Sequence, residues 1–294
     1  MENPVIACDQ AQNRVVLYDL SDCDGDPDAC EKWSYAPPYP SAKNLSGVKY
    51  RRNTVYGDVM LIVASGGYAG IVSYPEGKEI WHTDYCGNNP HSIEILPCGD
   101  VVTASSTGNE LYFYPLSAGL CPDVPHTVYA FDGAHGLLWD PDGEVLWAVG
   151  DTELRAYRTD QNGLTQIPGK GGQIPCPYGH DLSCDRTDNG FLWVAGDPAV
   201  VRFDKKNNRF ITDYDGHDVL SDTYIKGFGN NDRGNFVSCR STGGAGMPWA
   251  NLQIAGWCTP LIRLVRPTTN GYEAFMYRSS TCAYYKVICF DGRY

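Results

Sequence analysis

Three of the six histidines, His91, His135 and His180, stand 44 and 45 residues apart. Histidine titrates near neutrality, so three that converge could move protons between a bound molecule and solvent. Turn glycines extend the register. Counting eight residues back from Gly99 gives His91, from Gly143 His135, from Gly57 Lys49 and from Gly234 Lys226. Near the C-terminus Lys286 or Tyr284 takes a sixth place. Lysine and arginine suit carboxylate binding, and Arg51 follows Lys49 by two residues, so strand alternation aims both the same way. Arg240 ends a strand just before the loop Gly243-Gly244-Ala245-Gly246, flexible enough to cover a site. Trp249, Tyr85 and Tyr68 offer faces on which a sugar can stack, although Tyr68 reads as readily as blade packing. Three histidines could also hold zinc, but ligands must lie about 2.1 Å from the ion, and residues around a rim stand farther apart. Acid–base work is therefore expected, and no metal site.

The elements that position these residues are strands. Short β-rich runs such as Val59-Met60-Leu61-Ile62-Val63, Leu146-Trp147-Ala148-Val149 and Leu192-Trp193-Val194-Ala195 alternate with turn residues, and no long stretch has a 3.6-residue apolar period. A unit of strand, tight turn, strand, turn, strand and a looser fourth strand recurs every 44 or 45 residues, the blade length of a β-propeller. The expected fold is all-β: one propeller over residues 1–294, closed by pairing Val5-Ile6-Ala7-Cys8 with the strand near Tyr284-Tyr285-Lys286. Starts near 49, 91, 135, 180 and 226, plus one blade shared by the termini, give six blades; strands hidden in residues 240–260 would make seven. The first strand of a blade lines the central channel, so the basic residues should open onto one rim. Taken singly, such a histidine also serves to bond the next blade's backbone. As a set the reading is stronger, because converging cations need an anion to offset their repulsion.

Composition bounds the partners. The net charge of −12 argues against wrapping a nucleic acid, which needs a broad cationic surface. It leaves room for a small anion in a local cationic pocket. No apolar run approaches the roughly 20 residues of a membrane span. Twelve cysteines without zinc-site spacing suggest disulfides and a secreted chain, with Cys23–Cys30, Cys176–Cys184, Cys239–Cys258 and Cys282–Cys289 as plausible local pairs. The sequon Asn44-Leu45-Ser46 fits a eukaryotic secreted protein, at small weight. The opening Met1-Glu2-Asn3-Pro4 lacks signal-peptide features and reads as a mature form with an added start methionine. Asp22, Asp24, Asp26 and Asp28 alternate in a spacing that suits a structural calcium, although a solvated acidic loop is the plainer reading. A monomer without a required cofactor is expected.

Several segments together resemble a known propeller family: Asn88-Asn-Pro-His-Ser-Ile-Glu-Ile-Leu-Pro-Cys-Gly-Asp100, Ala134-His-Gly-Leu-Leu-Trp-Asp140, Tyr178-Gly-His-Asp-Leu182, Ala64-Ser-Gly-Gly-Tyr-Ala-Gly-Ile-Val72 and Tyr284-Tyr-Lys286. That family includes fungal lyases that cut the L-rhamnose-α-1,4-D-glucuronate linkage at the ends of gum arabic side chains. The resemblance implies an extracellular polysaccharide lyase acting on a glucuronate linkage by β-elimination. Such a reaction needs a cation on the carboxylate, a base for the C5 proton and an acid for the departing O4. Lys49, Arg51 and Lys226 are expected in the first role. His91, where the resemblance is densest, is expected as base, with His135 or His180 as acid, or one histidine in both roles. Two other readings share the pocket: a lectin-like propeller that binds acidic glycans without turnover, and a metal-dependent hydrolase or lactonase.

Overall fold

The computed structural model describes residues 1–125 and 127–293. Six four-stranded antiparallel sheets form a six-bladed β-propeller. The innermost strands are Leu45–Thr54, Pro90–Ile95, Gly136–Asp140, Gly179–Cys184, Ile225–Asn230 and Tyr284–Cys289, which we call blades 1 to 6. Blade 6 closes the ring as expected: Tyr284–Cys289 pairs antiparallel with Pro4–Asp9, Ala7 opposite Val287. The inner and second strands are buried on both faces, which is why their sequences run apolar without alternation, as in Val145–Val149. Aromatic side chains fill the wedges between blades. Trp147 is fully buried and meets Phe203 of the next blade edge-on, ring centroids 5.3 Å apart.

The segment 240–260 does contain strands, but they add no seventh blade. Met247–Trp249 and Leu252–Ile254 form a separate two-stranded hairpin. Inserted between the second and third strands of blade 5, it packs its apolar side on Cys258 and on Ala283 and Tyr285 at the head of blade 6.

The sequence period reappears as hydrogen bonds between equivalent positions. Ser183 donates to the Phe228 carbonyl, 45 residues on, and the Leu137 amide donates to Ser92, 45 residues back. A second repeat is conformational. The residue two before each ring position in blades 1 to 5 is left-handed: Asn44 (φ 56°), Asn89 (56°), Gly133 (62°), Tyr178 (58°) and Tyr224 (61°). Asparagine and glycine suit that region; tyrosine does not.

The expected disulfide network reduces to one bond. Cys23–Cys30 forms, and the other ten cysteines are free. Cys176 precedes the strand Gly179–Cys184 that Cys184 ends, and Cys282 precedes Tyr284–Cys289 that Cys289 ends, so extended backbone holds each pair apart. The Cys239 thiol donates to the Tyr285 carbonyl, while Cys258 donates to Gln10. In the acidic loop Asp22 pairs with Lys32 at 2.7 Å, and Asp28 accepts from Ser279 and Thr281. No helix is long and apolar enough to cross a membrane.

Candidate functional site

The pairing register decides which residues share the rim. A bulge falls at His91, His180 and Lys226, at Ser46 in blade 1, and opposite Tyr285 in blade 6. The ring is therefore Ser46, His91, His135, His180, Lys226 and Tyr285. Lys226 stands where the glycine count put it; Lys49 does not. Nine residues separate the paired Tyr50 and Met60, against five between Ile95 and Val101. The blade 1 hairpin is longer, so Gly57 is not the counterpart of Gly99. In blade 6 Tyr285 occupies the rim, between Tyr284 and Lys286.

Lys49 and Arg51 instead lie down the channel on Glu94. Arg51 grips the carboxylate with two nitrogens at 2.9 and 2.7 Å, and Lys49 Nζ is 3.2 Å from it. Burial raises the Glu94 carboxyl, but Arg51 and Lys49 outweigh it and hold the group below its ordinary range. Burial pulls Lys49 down to about 8 against the pull of Glu94. Lys286 is likewise committed, 3.1 Å from Asp181 and 3.2 Å from the His180 carbonyl. The anions that offset these cations are built in.

The three histidines do meet. His91 stacks on His135 with centroids 4.2 Å apart, and His135 meets His180 edge-on at 4.7 Å. Tyr285 closes the far side of His91 at 5.2 Å. His135 Nδ1 lies 3.2 Å from the Gly133 carbonyl, which only accepts, so that nitrogen carries the proton. His135 Nε2 is then a lone pair, and His180 Nδ1, 3.2 Å away, donates to it. His180 Nε2 faces two groups, Lys226 Nζ at 2.6 Å and Asp197 Oδ1 at 2.7 Å: a lone pair there accepts from Lys226 and a proton there donates to Asp197. Lys226 and Asp197 are 3.6 Å apart. A neutral His180 accepts from Lys226; a proton arriving on Nε2 finds a carboxylate at once.

Burial lowers the pKa of all three histidines, and the neighbouring lysines and histidines push the same way. Only at His180 does a carboxylate oppose it, the Asp197 hydrogen bond. Burial also lowers Lys226, partly offset by Asp197. His91 is 4% exposed and its Nδ1 has no hydrogen-bond partner among the described residues. His180 and Lys226 show 11% of their side chains and Asp197 31%, so solvent meets the cluster at this corner.

A stability prediction follows. An unfolded histidine takes a proton near pH 6.5, whereas folded His91 and His135 stay neutral well below that. Below pH 6.5 the unfolded chain therefore binds more protons, and stability falls with pH by about 1.4 kcal/mol per pH unit for each histidine. It is fully present above pH 6.5. Guanidinium midpoints at pH 7.5, 6.5 and 5.5 should show this slope, and His91→Phe with His135→Phe should flatten it. Parallel curves for the two proteins would mean that these histidines charge in place.

The other expected site residues divide. Arg240 is on the same face, opposite Ile225, half-exposed, and reaches Asp222 and Thr223. Tyr85 is exposed on the loop before blade 2. The Trp249 indole donates to the Ser279 carbonyl, and its ring packs beneath the hairpin. Tyr68 is wholly buried core. Sequence reasoning missed Asp197. Its signal was the Gly196-Asp197 turn, which mirrors Gly150-Asp151 and returns to the His180 end. Among the described residues, no group of three or more His, Cys, Asp or Glu is placed to hold a metal ion; stacked imidazoles 17° from parallel do not aim at one point.

The far end of the channel opens into a cavity of about 630 Å³ beside Trp139, Arg186 and Lys205. Its carboxylates are satisfied internally, Asp140 by Lys205 and Asp185 by Arg202, and it holds no histidine.

Comparison with known proteins places the fold and little more. Residues 4–234 match the model of a family described as "Family of unknown function (DUF6528)". A 90-residue stretch is 34% identical to human Elongator complex protein 2, covering 29% of this chain and 10% of that protein. The chain thus spans about a tenth of the curated relative's length. A crystal structure of a functionally unknown protein from Desulfotomaculum acetoxidans DSM 771 superposes with a TM-score of 0.55 at 9% identity, over 90% of this chain and 76% of that one.

Proposed function

The chain belongs to the DUF6528 family of unknown function, and within it we propose a carbohydrate lyase that cleaves a uronic-acid linkage by β-elimination. One observation carries this: Lys226 and Asp197 both stand on Nε2 of a buried His180. Proton removal beside a carboxylate needs a cation and a neutral base side by side, and that corner supplies both. The Lys226 ammonium moves from His180 to the substrate carboxylate. The freed Nε2 takes the C5 proton; the C5–H electrons form the C4=C5 double bond, and the C4–O4 pair leaves on oxygen. Protonated His180, held by Asp197, returns the proton to O4. The resemblance puts the base at His91; access and partners favour His180, with His91 and His135 fixing its orientation. Arg240 is the second cation within the same rim. A glycan outside the cell that carries a sugar on O4 of its glucuronate is the substrate class, and the Cys23–Cys30 disulfide supports that compartment.

Incubation with gum arabic and other glycans that carry a sugar on O4 of glucuronate should produce an unsaturated uronate that absorbs in the ultraviolet. Saturable binding by calorimetry with no such product would replace the lyase with a lectin-like propeller. Hydrolytic product lost on adding EDTA would replace it with a metal-dependent hydrolase.

A further inference from the structure

The exposed aromatic side chains of the described chain number four: Tyr178 (56% exposed), Tyr85 (55%), Trp257 (52%) and Tyr224 (47%). Three lie on loops that feed inner strands at the histidine end, and the fourth, Trp257, precedes Leu261–Thr268, the third strand of blade 5. Tyr85 precedes Pro90–Ile95, Tyr178 adjoins Gly179–Cys184, and Tyr224 adjoins Ile225–Asn230. Trp257 stands two residues before Thr259, which bridges to Tyr284 at the head of blade 6. Among the described residues, no exposed aromatic ring lies at the other end. Among the described residues none of the four packs against another aromatic ring, so each is a separate platform rather than part of one apolar patch.

Two of them occupy a conformation that tyrosine disfavours. In blades 1, 2 and 3 the left-handed position holds Asn44, Asn89 and Gly133; in blades 4 and 5 it holds Tyr178 and Tyr224, beside His180 and Lys226. The Tyr224 amide donates to the carbonyl of Asp197, so its backbone is tied to the residue that contacts His180. Strained, exposed rings placed singly around a cationic pocket suit a ligand with several flat apolar faces in series.

We propose that Tyr178 and Tyr224 are stacking platforms for the sugars joined to the uronate, making the substrate an oligosaccharide rather than a terminal uronate alone. This rests on the uronate reading of the histidine corner. Spaced single platforms match successive pyranose rings, whereas a protein partner would ask for a continuous apolar surface.

The test is calorimetry with free glucuronate and with a glucuronate-ended trisaccharide, on the wild type and on Tyr178→Asn with Tyr224→Asn. Asparagine already fills this position in two blades, so the variant should fold, and its melting temperature should hold or rise. The wild type should bind the trisaccharide more tightly than glucuronate. The variant should lose about tenfold in trisaccharide affinity and nothing for glucuronate. Glucuronate binding with no gain from added sugars, or a gain that survives in the variant, overturns the platforms alone. Failure of the wild type to bind either ligand removes the uronate reading, and the platforms with it.

Discussion

Glu94→Ala should cost about 3–5 kcal/mol of folding stability, the usual penalty for removing one partner of a buried ion pair. Glu94 is fully buried in the channel, with Arg51 on both carboxylate oxygens and Lys49 on one of them. The Trp139 amide also donates to it. Taking away the carboxylate leaves two cations sharing a low-dielectric space. Lys49 can relieve part of this by losing its proton, since burial has already brought it down to about 8. Arg51 cannot, because a guanidinium stays charged in proteins. Glu94→Gln should be milder than alanine, since an amide oxygen still accepts from Arg51. The companion variant Lys49→Met, Arg51→Leu, Glu94→Leu should regain most of the loss, because apolar side chains of similar volume avoid the desolvation cost altogether. Guanidinium denaturation at pH 7.5 measures all three. A Glu94→Ala protein within 1 kcal/mol of the wild type would show that water solvates the channel cations well enough to make the carboxylate dispensable.

That triad shows where reading the sequence stopped. The repeat and blade count were legible because blade length is a chain-level period that a single hairpin cannot hide. Three rim histidines and Lys226 were legible because the turns after their strands are of known length. Lys49 was misplaced for the same reason: the longer hairpin of blade 1 shifts its turn glycine by three positions. Ser46, which does hold the rim, carries no chemical signal, and the blade 6 bulge that turns Tyr285 to the rim is a pairing irregularity without one. Glu94 and Asp181 were visible in His91-Ser-Ile-Glu94 and His180-Asp181, yet their role depends on which cation the neighbouring blade sends across the channel. Asp197 is contributed by a turn, 17 residues from His180 in sequence and hydrogen-bonded to it only through the fold. The disulfide expectation held at Cys23–Cys30 and not at the other three pairs, because cysteine count and spacing do not report geometry. In this chain most cysteines are small apolar residues of the core, such as Cys8 and Cys239.

On a glycan that carries a sugar on O4 of glucuronate, His180→Ala should lower kcat by about 10²- to 10⁴-fold, the usual contribution of a positioned acid–base group. His91→Ala should lower it less, because that ring supports the array from a buried position and does not reach the substrate. The pH profile separates the two further. His180 must be neutral to accept the C5 proton, and its pKa is lowered, so the acid limb of kcat/KM should fall below pH 6.5. Lys226 must be charged to bind the carboxylate, and burial lowers it, so the alkaline limb should fall below pH 10.5. The bell is thus displaced toward acid on both sides. Asp197→Asn removes the one group that raises the His180 pKa by hydrogen bonding, so the acid limb should move further down while kcat drops. A lost carboxylate no longer holds the imidazolium that forms when the proton arrives. A merely structural Asp197 would lower both limbs' amplitude without moving the acid limb. If His180→Ala keeps more than about a tenth of wild-type kcat, the base lies elsewhere on the ring. His91, with its unpartnered Nδ1, would then be the residue to test next.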